Sequence, residues 1–427
     1  MKKKLQYFIF ILILIINIIF PNYIYADNKE DIFKKLNAPN LLLGEINTEN
    51  ILYERAADKK IYPASVTKLM TAILVLENCE LDEIVTVSEN AVFSVPSGYV
   101  NANLQVGEEL TIEDLLYVML IPSANDAANA LAEHVGGSIE SFSTMMNTRA
   151  KELGCTGTNF TNPSGLHQVT HYTTTRDLYY ISREAIKNPV IKKIIATTRY
   201  TLPETNKYTN TKSKRTFVNS NYMIRESLTK YYCDYCIGGK TGYTPEAKNC
   251  VVEYAVKDGI ELIAVVMGES ASVKGQKFLD AKIMFEYVFK NYENKSVAVK
   301  DEKYDTIKIE NGTKATRDLE VLYKDNVNIL KKTDDIQEIQ EKIEYNNLNA
   351  PIQKGEVIGK ISYAYDGITY TTDIIANSDV EESKVLSNLV KLLAVLLIIY
   401  IIYYLRKSKK NYKRHGKNLR KKLKKKR

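Results

Sequence analysis

Tyr62-Pro63-Ala64-Ser65-Val66-Thr67-Lys68-Leu69-Met70-Thr71-Ala72 is the stretch on which the reading of this chain turns. Pro63 opens a helix predicted over Ser65 to Asn78, with Leu69, Ala72, Ile73 and Leu76 as its i, i+3, i+4, i+7 apolar stripe. Ser65 and Lys68 stand three residues apart, so one helix face presents both. Ser65 falls in the first turn, where free N–H groups and the helix dipole favour developing negative charge. A serine hydroxyl becomes a nucleophile when a base lies within hydrogen-bond reach. Lysine can serve as that base once burial lowers its pKa. Alone, Ser-x-x-Lys is common and usually means a capping serine beside a solvated lysine.

Two further motifs, in order, change that balance. Ser123-Ala124-Asn125 lies in the loop Ile121 to Asp126, just past an apolar helix. The Ser123 hydroxyl there can pass a proton between Lys68 and a leaving group. The Asn125 amide can hold both Lys68 and a substrate amide. Lys240-Thr241-Gly242 falls on a predicted strand preceded by Gly238 and Gly239. A cation and a hydroxyl on a strand edge form a carboxylate clamp, and Gly242 lets a substrate backbone approach closely. The three motifs together supply a nucleophile, a base, a polar bridge and an anion clamp, the set shared by β-lactamases and penicillin-binding proteins.

The longer context of each motif resembles the D-alanyl-D-alanine carboxypeptidase family of low-molecular-mass penicillin-binding proteins. Tyr62–Ala72 resembles its nucleophile segment, Pro122–Ala128 its second motif and Gly239–Thr244 its third. Asn162-Pro163-Ser164-Gly165-Leu166 and Thr174-Thr175-Arg176-Asp177-Leu178 resemble segments between the second and third. The similarity covers about residues 35 to 290. It implies an α/β, β-lactamase/transpeptidase-like domain: an antiparallel sheet flanked by helices, with a helical insert. It also implies a serine acyl-transfer enzyme that removes the terminal D-Ala from the peptidoglycan pentapeptide and is acylated by β-lactam antibiotics. Ser65 would attack with Lys68 as base, and Ser123 would relay the proton to the departing D-Ala. Asn125, Lys240, Thr241 and Gly242 would bind substrate, and the backbone N–H groups of Ser65 and Tyr243 would form the oxyanion hole. The resemblance implies no cofactor and no metal. A transpeptidase or endopeptidase with the same site, or an inactive wall-binding scaffold, are the rival expectations. Rapid β-lactam hydrolysis is not expected: class A β-lactamases place a Glu between the second and third motifs, whereas Asp177 is the only acid from Leu153 to Arg183. No serine lies in a Gly-x-Ser-x-Gly context, so His134, His167 and His171 read as structural.

Around this core the chain of 427 residues has room for two or three domains. The motifs place a catalytic domain over residues 27–292. From about Glu293 short strand-like stretches alternate with turn residues, which predicts a small all-β domain over residues 293–380. The formal net charge of +8 misleads, because the fourteen Lys and Arg of residues 406–427 and the three lysines at Lys2 to Lys4 exceed it by nine. The body between them is acidic, and nucleic acid is not an expected partner.

The two ends read as membrane signals. Lys2–Lys4, an apolar run from Tyr7 to Phe20 and Ile24-Tyr25-Ala26 make residues 1–26 a signal peptide. Leu386 to Leu405 is a 20-residue span, wholly apolar from Leu392, and the basic tail of residues 406–427 marks the cytoplasmic side. The expectation is a protein of the cytoplasmic membrane whose catalytic domain lies outside. Cys79, Cys155, Cys233, Cys236 and Cys250 are too few for a disulfide scaffold. Cys233-Asp234-Tyr235-Cys236 reads as a local disulfide or two idle thiols, since the spacing supplies no further ligands for a metal.

Overall fold

The computed structural model describes residues 32–209, 214–270, 274–346 and 348–424. The expected signal peptide lies outside the described residues. The chain divides into two compact units, the first ending at Asn294 and including Lys332–Asp334, the second holding the remainder.

In the first unit, β1 (Asn40–Glu45) and β2 (Ile51–Arg55) form an antiparallel opening strand pair. A 3-10 turn (Ala64–Thr67) leads into α1 (Lys68–Asn78). The insert follows, with β3 (Ile84–Thr86), α2 (Glu89–Phe93) and β4 (Glu109–Thr111). It continues through α3 (Ile112–Leu120), α4 (Asn125–Gly136), α5 (Ile139–Glu152), α6 (Thr175–Lys187) and α7 (Pro189–Ala196). A short hairpin of β5 (Arg199–Thr201) and β6 (Thr216–Val218) closes it. Then come β7 (Cys236–Thr244), β8 (Lys248–Lys257), β9 (Ile260–Glu269) and α8 (Gln276–Asn291). The first two strands and the last three make one antiparallel sheet in the order β2-β1-β9-β8-β7.

Strand pairing follows the local chemistry. Asp258 (φ +51°) and Gly259 (φ +77°) connect Lys257 to Ile260 as a two-residue hairpin of the kind that needs two left-handed residues. Both faces of the central strands are covered. Leu42, Val252, Tyr254, Ile263 and Val265 join the core that also holds α1, α3, α4 and α6, and the alternating partners Leu41, Leu43, Val251, Leu262 and Ala264 are buried too. α8 lies against β8 and β9. Tyr179 and Tyr254 pin α6 to the sheet, the first donating to the Glu45 carbonyl at 2.7 Å and the second to that of Ser182 at 3.0 Å. The order leaves β7, which carries Lys240-Thr241-Gly242, with one neighbour and one free edge.

The expected helix start at Ser65 needs correction: the α-helix begins at Lys68, and Ser65 lies in the 3-10 turn before it. Ala64 adopts φ +47°, and the Thr67 hydroxyl donates back to the Ala64 carbonyl at 2.9 Å, which tightens the turn.

The second unit centres on a five-stranded antiparallel sheet. Its order is Lys303–Lys308, Asp318–Tyr323, Ile368–Ala376, Val357–Tyr365 and Gln340–Tyr345. Leu319, Val321, Ile329, Ile361, Tyr363 and Ile374 fill its own core. A long helix, Val385–Lys424, ends the described chain. Among the described residues it is the one helix long and apolar enough to cross a membrane, over Asn388–Lys410 with mean hydropathy 2.2. It continues beyond Leu405 because the basic segment is rich in Lys and Arg, both good helix formers.

Phe142 on α5 is fully buried against the insert, beside Gly136. Phe142→Ala should therefore cost ~3–5 kcal/mol, read as a marked fall in the thermal midpoint of the catalytic unit.

Candidate active site

Lys68 is the centre of the site. Its side chain is fully buried in the first turn of α1, and its amine has three partners. Nζ lies 3.0 Å from the Ser65 hydroxyl, 2.7 Å from Oδ1 of Asn125 and 2.7 Å from the Ser164 carbonyl. An ammonium donates to all three. A neutral amine keeps the two shorter bonds and turns its lone pair to the Ser65 hydroxyl, which then donates. Burial drives the Lys68 pKa well below its usual value, with help from the Lys240 charge and opposition from Asp126.

Each partner is held by its own device. Asn125 starts α4, and its Nδ2 and backbone N–H both donate to the Val100 carbonyl, at 2.9 and 3.0 Å. Asp126 accepts from the backbone N–H groups of Ala102 and Leu104, tying residues 102–104 to the start of α4. Ser164 belongs to a loop braced by Asn162, whose Oδ1 accepts from the Gly165 N–H at 2.7 Å and the Ser164 N–H at 3.2 Å. The Thr71 hydroxyl adds a 2.6 Å bond from α1 to the Pro163 carbonyl. Gly165 has φ +83°, and a Cβ there would stand 1.8 Å from the Ala64 carbonyl oxygen. Only glycine lets this loop close over the turn that carries Ser65.

The second half of the cleft comes from the sheet. Lys240 is also buried, and its Nζ donates to the Ser123 hydroxyl and to the Thr241 carbonyl, each at 2.9 Å. Because Ser123 accepts that bond, its own hydrogen is free to be donated elsewhere. Ser123 holds φ +76°, a left-handed conformation unfavourable for serine and of the strained kind found at functional sites. Burial, aided by the Lys277 charge, lowers the Lys240 pKa to about 7. The Thr241 hydroxyl pairs with that of Ser220 at 2.6 Å. A Cβ on Gly242 would stand 3.1 Å from the Ser65 nitrogen and 3.2 Å from the Pro63 carbonyl oxygen, so β7 and the Ser65 turn are in backbone contact. Tyr243 is half exposed next to it.

The eight residues singled out from the sequence thus gather in one place. Ser220 was not among them. Its backbone N–H donates to the Ile121 carbonyl at 3.2 Å, which joins the Ser123 loop to β7. Lone polar residues of the stretch Asn219-Ser220-Asn221 carry no spacing signal that would have marked it. His171 is structural: its Nδ1 accepts from the Thr161 N–H at 3.0 Å, so Nε2 carries the hydrogen it shares with Thr67 at 2.9 Å. Burial pushes its pKa down to about 3, which keeps the ring neutral. Cys233 and Cys236 are both free thiols in this structure.

Comparison with known proteins agrees with this architecture. Residues 27–271 match the family model described as D-alanyl-D-alanine carboxypeptidase, and residues 292–382 match that of the penicillin-binding protein 5 C-terminal domain. The chain belongs to the D-alanyl-D-alanine carboxypeptidase family, and its fold is that of the penicillin-binding proteins: an α/β catalytic domain followed by an all-β domain. It is 32% identical to the D-alanyl-D-alanine carboxypeptidase DacF of Bacillus subtilis, over 83% of this chain and 89% of that one. It is 30% identical to a D-alanyl-D-alanine endopeptidase of Escherichia coli, over 56% of this chain and 73% of that one. Crystal structures of penicillin binding protein 5 from Haemophilus influenzae superpose with a TM-score of 0.67 at 26% identity, covering 82% of this chain and 98% of that one.

Two buried lysines are costly to keep. A lysine with a lowered folded-state pKa destabilises the fold most where both states are protonated, below about pH 7 for Lys240. The cost shrinks as pH rises toward the unfolded value, because the folded state then sheds its proton first. Lys240→Met should raise stability at pH 6 by ~1–2 kcal/mol, the lost hydrogen bonds offsetting part of the relief. The gain over wild type should diminish from about pH 7 toward pH 10 in thermal denaturation series.

Proposed function

We propose that Ser65 is the acylated nucleophile of a serine-type D-Ala-D-Ala carboxypeptidase acting on peptidoglycan stem peptides, with Lys68 as its base. The observation that carries this is the 3.0 Å contact between a fully buried Lys68 amine and the Ser65 hydroxyl. In the neutral form Lys68 takes the Ser65 proton as Ser65 attacks the penultimate D-Ala carbonyl. The new N–H then points at the serine oxygen, and the bonds to Asn125 and Ser164 hold the ammonium without movement.

The departing D-Ala amine needs a proton on the other side of the tetrahedral carbon. Ser123, its oxygen engaged by Lys240, gives its proton to that amine and takes up in return the one Lys68 removed from Ser65, which leaves Lys68 neutral again. The backbone N–H groups of Ser65 and Tyr243 form the oxyanion hole, favoured by the close approach of Gly242 to the Ser65 turn. The peptide lies along the free edge of β7, with the Asn125 amide on its backbone and Lys240 and Thr241 on its terminal carboxylate. A carboxylate arriving there raises the Lys240 pKa and so binds best while Lys240 keeps its proton. Water then hydrolyses the acyl-enzyme. Asp177, the one acid between Leu153 and Arg183, is committed to the Gly157 N–H at 2.8 Å and the Thr158 hydroxyl at 2.6 Å. No carboxylate of that segment remains to speed β-lactam hydrolysis, so penicillin should leave a long-lived adduct.

Two terminal segments support a placement for this enzyme. The apolar stretch of the C-terminal helix anchors the protein in the cytoplasmic membrane, with its basic extension inside and the catalytic domain, exported by a signal peptide, outside. The E. coli relative named as an endopeptidase keeps a second reading open, cleavage of D-Ala cross-links by the same serine.

Fluorescent penicillin should label the full-length protein covalently at Ser65. Ser65→Ala should abolish the adduct, and Lys68→Ala should slow acylation by a factor of ~10²–10⁴. Peptide mapping that finds the adduct elsewhere would refute the assignment. Free D-Ala released from pentapeptide, against fragments released from cross-linked wall, separates the two readings.

A further inference from the structure

A second cluster lies at the far ends of the two helices that carry the site. Cys79 is the residue that ends α1, Glu83 sits in the turn before β3, and His134 is in the last turn of α4. One ligand atom from each, a thiol sulfur, a carboxylate oxygen and an imidazole nitrogen, lies within 4.8 Å of the other two. We propose that these three side chains bind a zinc-type divalent cation, which clamps α1 to α4 at the ends opposite Lys68 and Asn125.

The donor chemistry fits that class of ion. Thiolate plus imidazole plus one carboxylate is a borderline set that selects zinc over the hard cations calcium and magnesium. Three protein ligands leave the fourth position of a tetrahedron to water. Nε2 of His134 and Oε2 of Glu83 are 3.3 Å apart. That is long for a charge-assisted hydrogen bond and close to the edge of a zinc tetrahedron, about 3.4 Å for metal–ligand bonds near 2.05 Å. Thiolate and carboxylate together neutralise a divalent charge.

The surroundings are arranged for a cation as well. The C-termini of α1 and α4 both point partial negative charge at the cluster. Glu83 is preset: its Oε1 accepts from the Glu80 N–H at 2.5 Å, and its carbonyl accepts from the Ile112 N–H at 3.0 Å, leaving Oε2 turned to His134. Cys79 is a free thiol, half-buried at the end of α1. Capture of the ion forms one metal–sulfur bond and releases the thiol proton to water. α1 is 11 residues long, which puts the ion roughly 16 Å along the helix from Lys68. Its role is to hold two helices in register, and it takes no part in acyl transfer.

The test uses the tag-free full-length protein in detergent under reducing conditions. Equilibrium dialysis against zinc, followed by metal analysis, should give one ion per chain at micromolar zinc, and the thermal midpoint should rise by several degrees with zinc but not with magnesium. Cobalt in place of zinc should show a thiolate-to-metal charge-transfer band. Cys79→Ser and His134→Gln should each weaken binding at least tenfold and remove the band, while penicillin labelling at low temperature stays as in wild type. The doubly substituted Cys233→Ser, Cys236→Ser protein should bind as wild type does. No bound zinc, or binding that survives Cys79→Ser and disappears with the Cys233/Cys236 substitutions, would overturn the proposal. Binding that is unaffected by both sets would overturn it too.

Discussion

An amine shut away from water, yet surrounded by three hydrogen-bond acceptors, is the constraint on which this structure depends. Charged, Lys68 is disfavoured by desolvation and by the second buried lysine of the cleft. Unbonded, it would be more costly still. The fold meets both conditions by bringing acceptors from three chain segments to one point: Ser65 from the 3-10 turn, Asn125 from the start of α4, and Ser164 from the loop braced by Asn162. Removing any one arm leaves a buried polar group unpaired. This explains why so much of the surrounding architecture is rigid and specific: the Asp126 ties to residues 102–104, the Gly165 crossing over Ala64 and the neutral His171 behind Thr67.

The sheet contributes a second cation by different means. β7 is an edge strand, so its backbone can be approached by a substrate, while the side chain of Lys240 turns into the cleft and away from solvent. Two lysines facing one cleft repel. Within the proposed mechanism that repulsion helps in both roles, since it favours a neutral base and makes an arriving carboxylate the natural partner for the charge that remains. The cost to stability is the kind that active sites commonly carry.

Much of this was legible in the sequence. The Leu69, Ala72, Ile73 and Leu76 periodicity predicts α1 through to its last residue, Asn78. The sheet order was not readable, because β1 pairs with β9 across more than 200 residues and no local pattern encodes that register. The start of the first helix was misjudged by three residues: Pro63 marks the boundary, but the 3-10 turn is imposed by Thr67 bonding back to Ala64 and by Gly165 closing over it. The side chains proposed to react carry motifs, and spacing singles them out. Ser220 and the Ser164 carbonyl were not, since a hydroxyl in a turn and a backbone oxygen acquire their roles only when the chain folds. The Cys79, Glu83 and His134 grouping is of the same sort, three residues spread over 56 positions with no linear signature.

Lys68 can act as the base for Ser65 only while its amine is neutral. Isotope labelling of lysine Nζ, with Lys68 assigned by comparison with a Lys68→Ala protein, allows its titration to be followed by magnetic resonance in the full-length protein. The account predicts a midpoint far below the 10.5 of a free lysine, with a neutral amine at the pH of catalysis. A Lys68 that stays protonated up to pH 10 or beyond would contradict it, because Lys68 is the group hydrogen-bonded to Ser65 that is to take its proton.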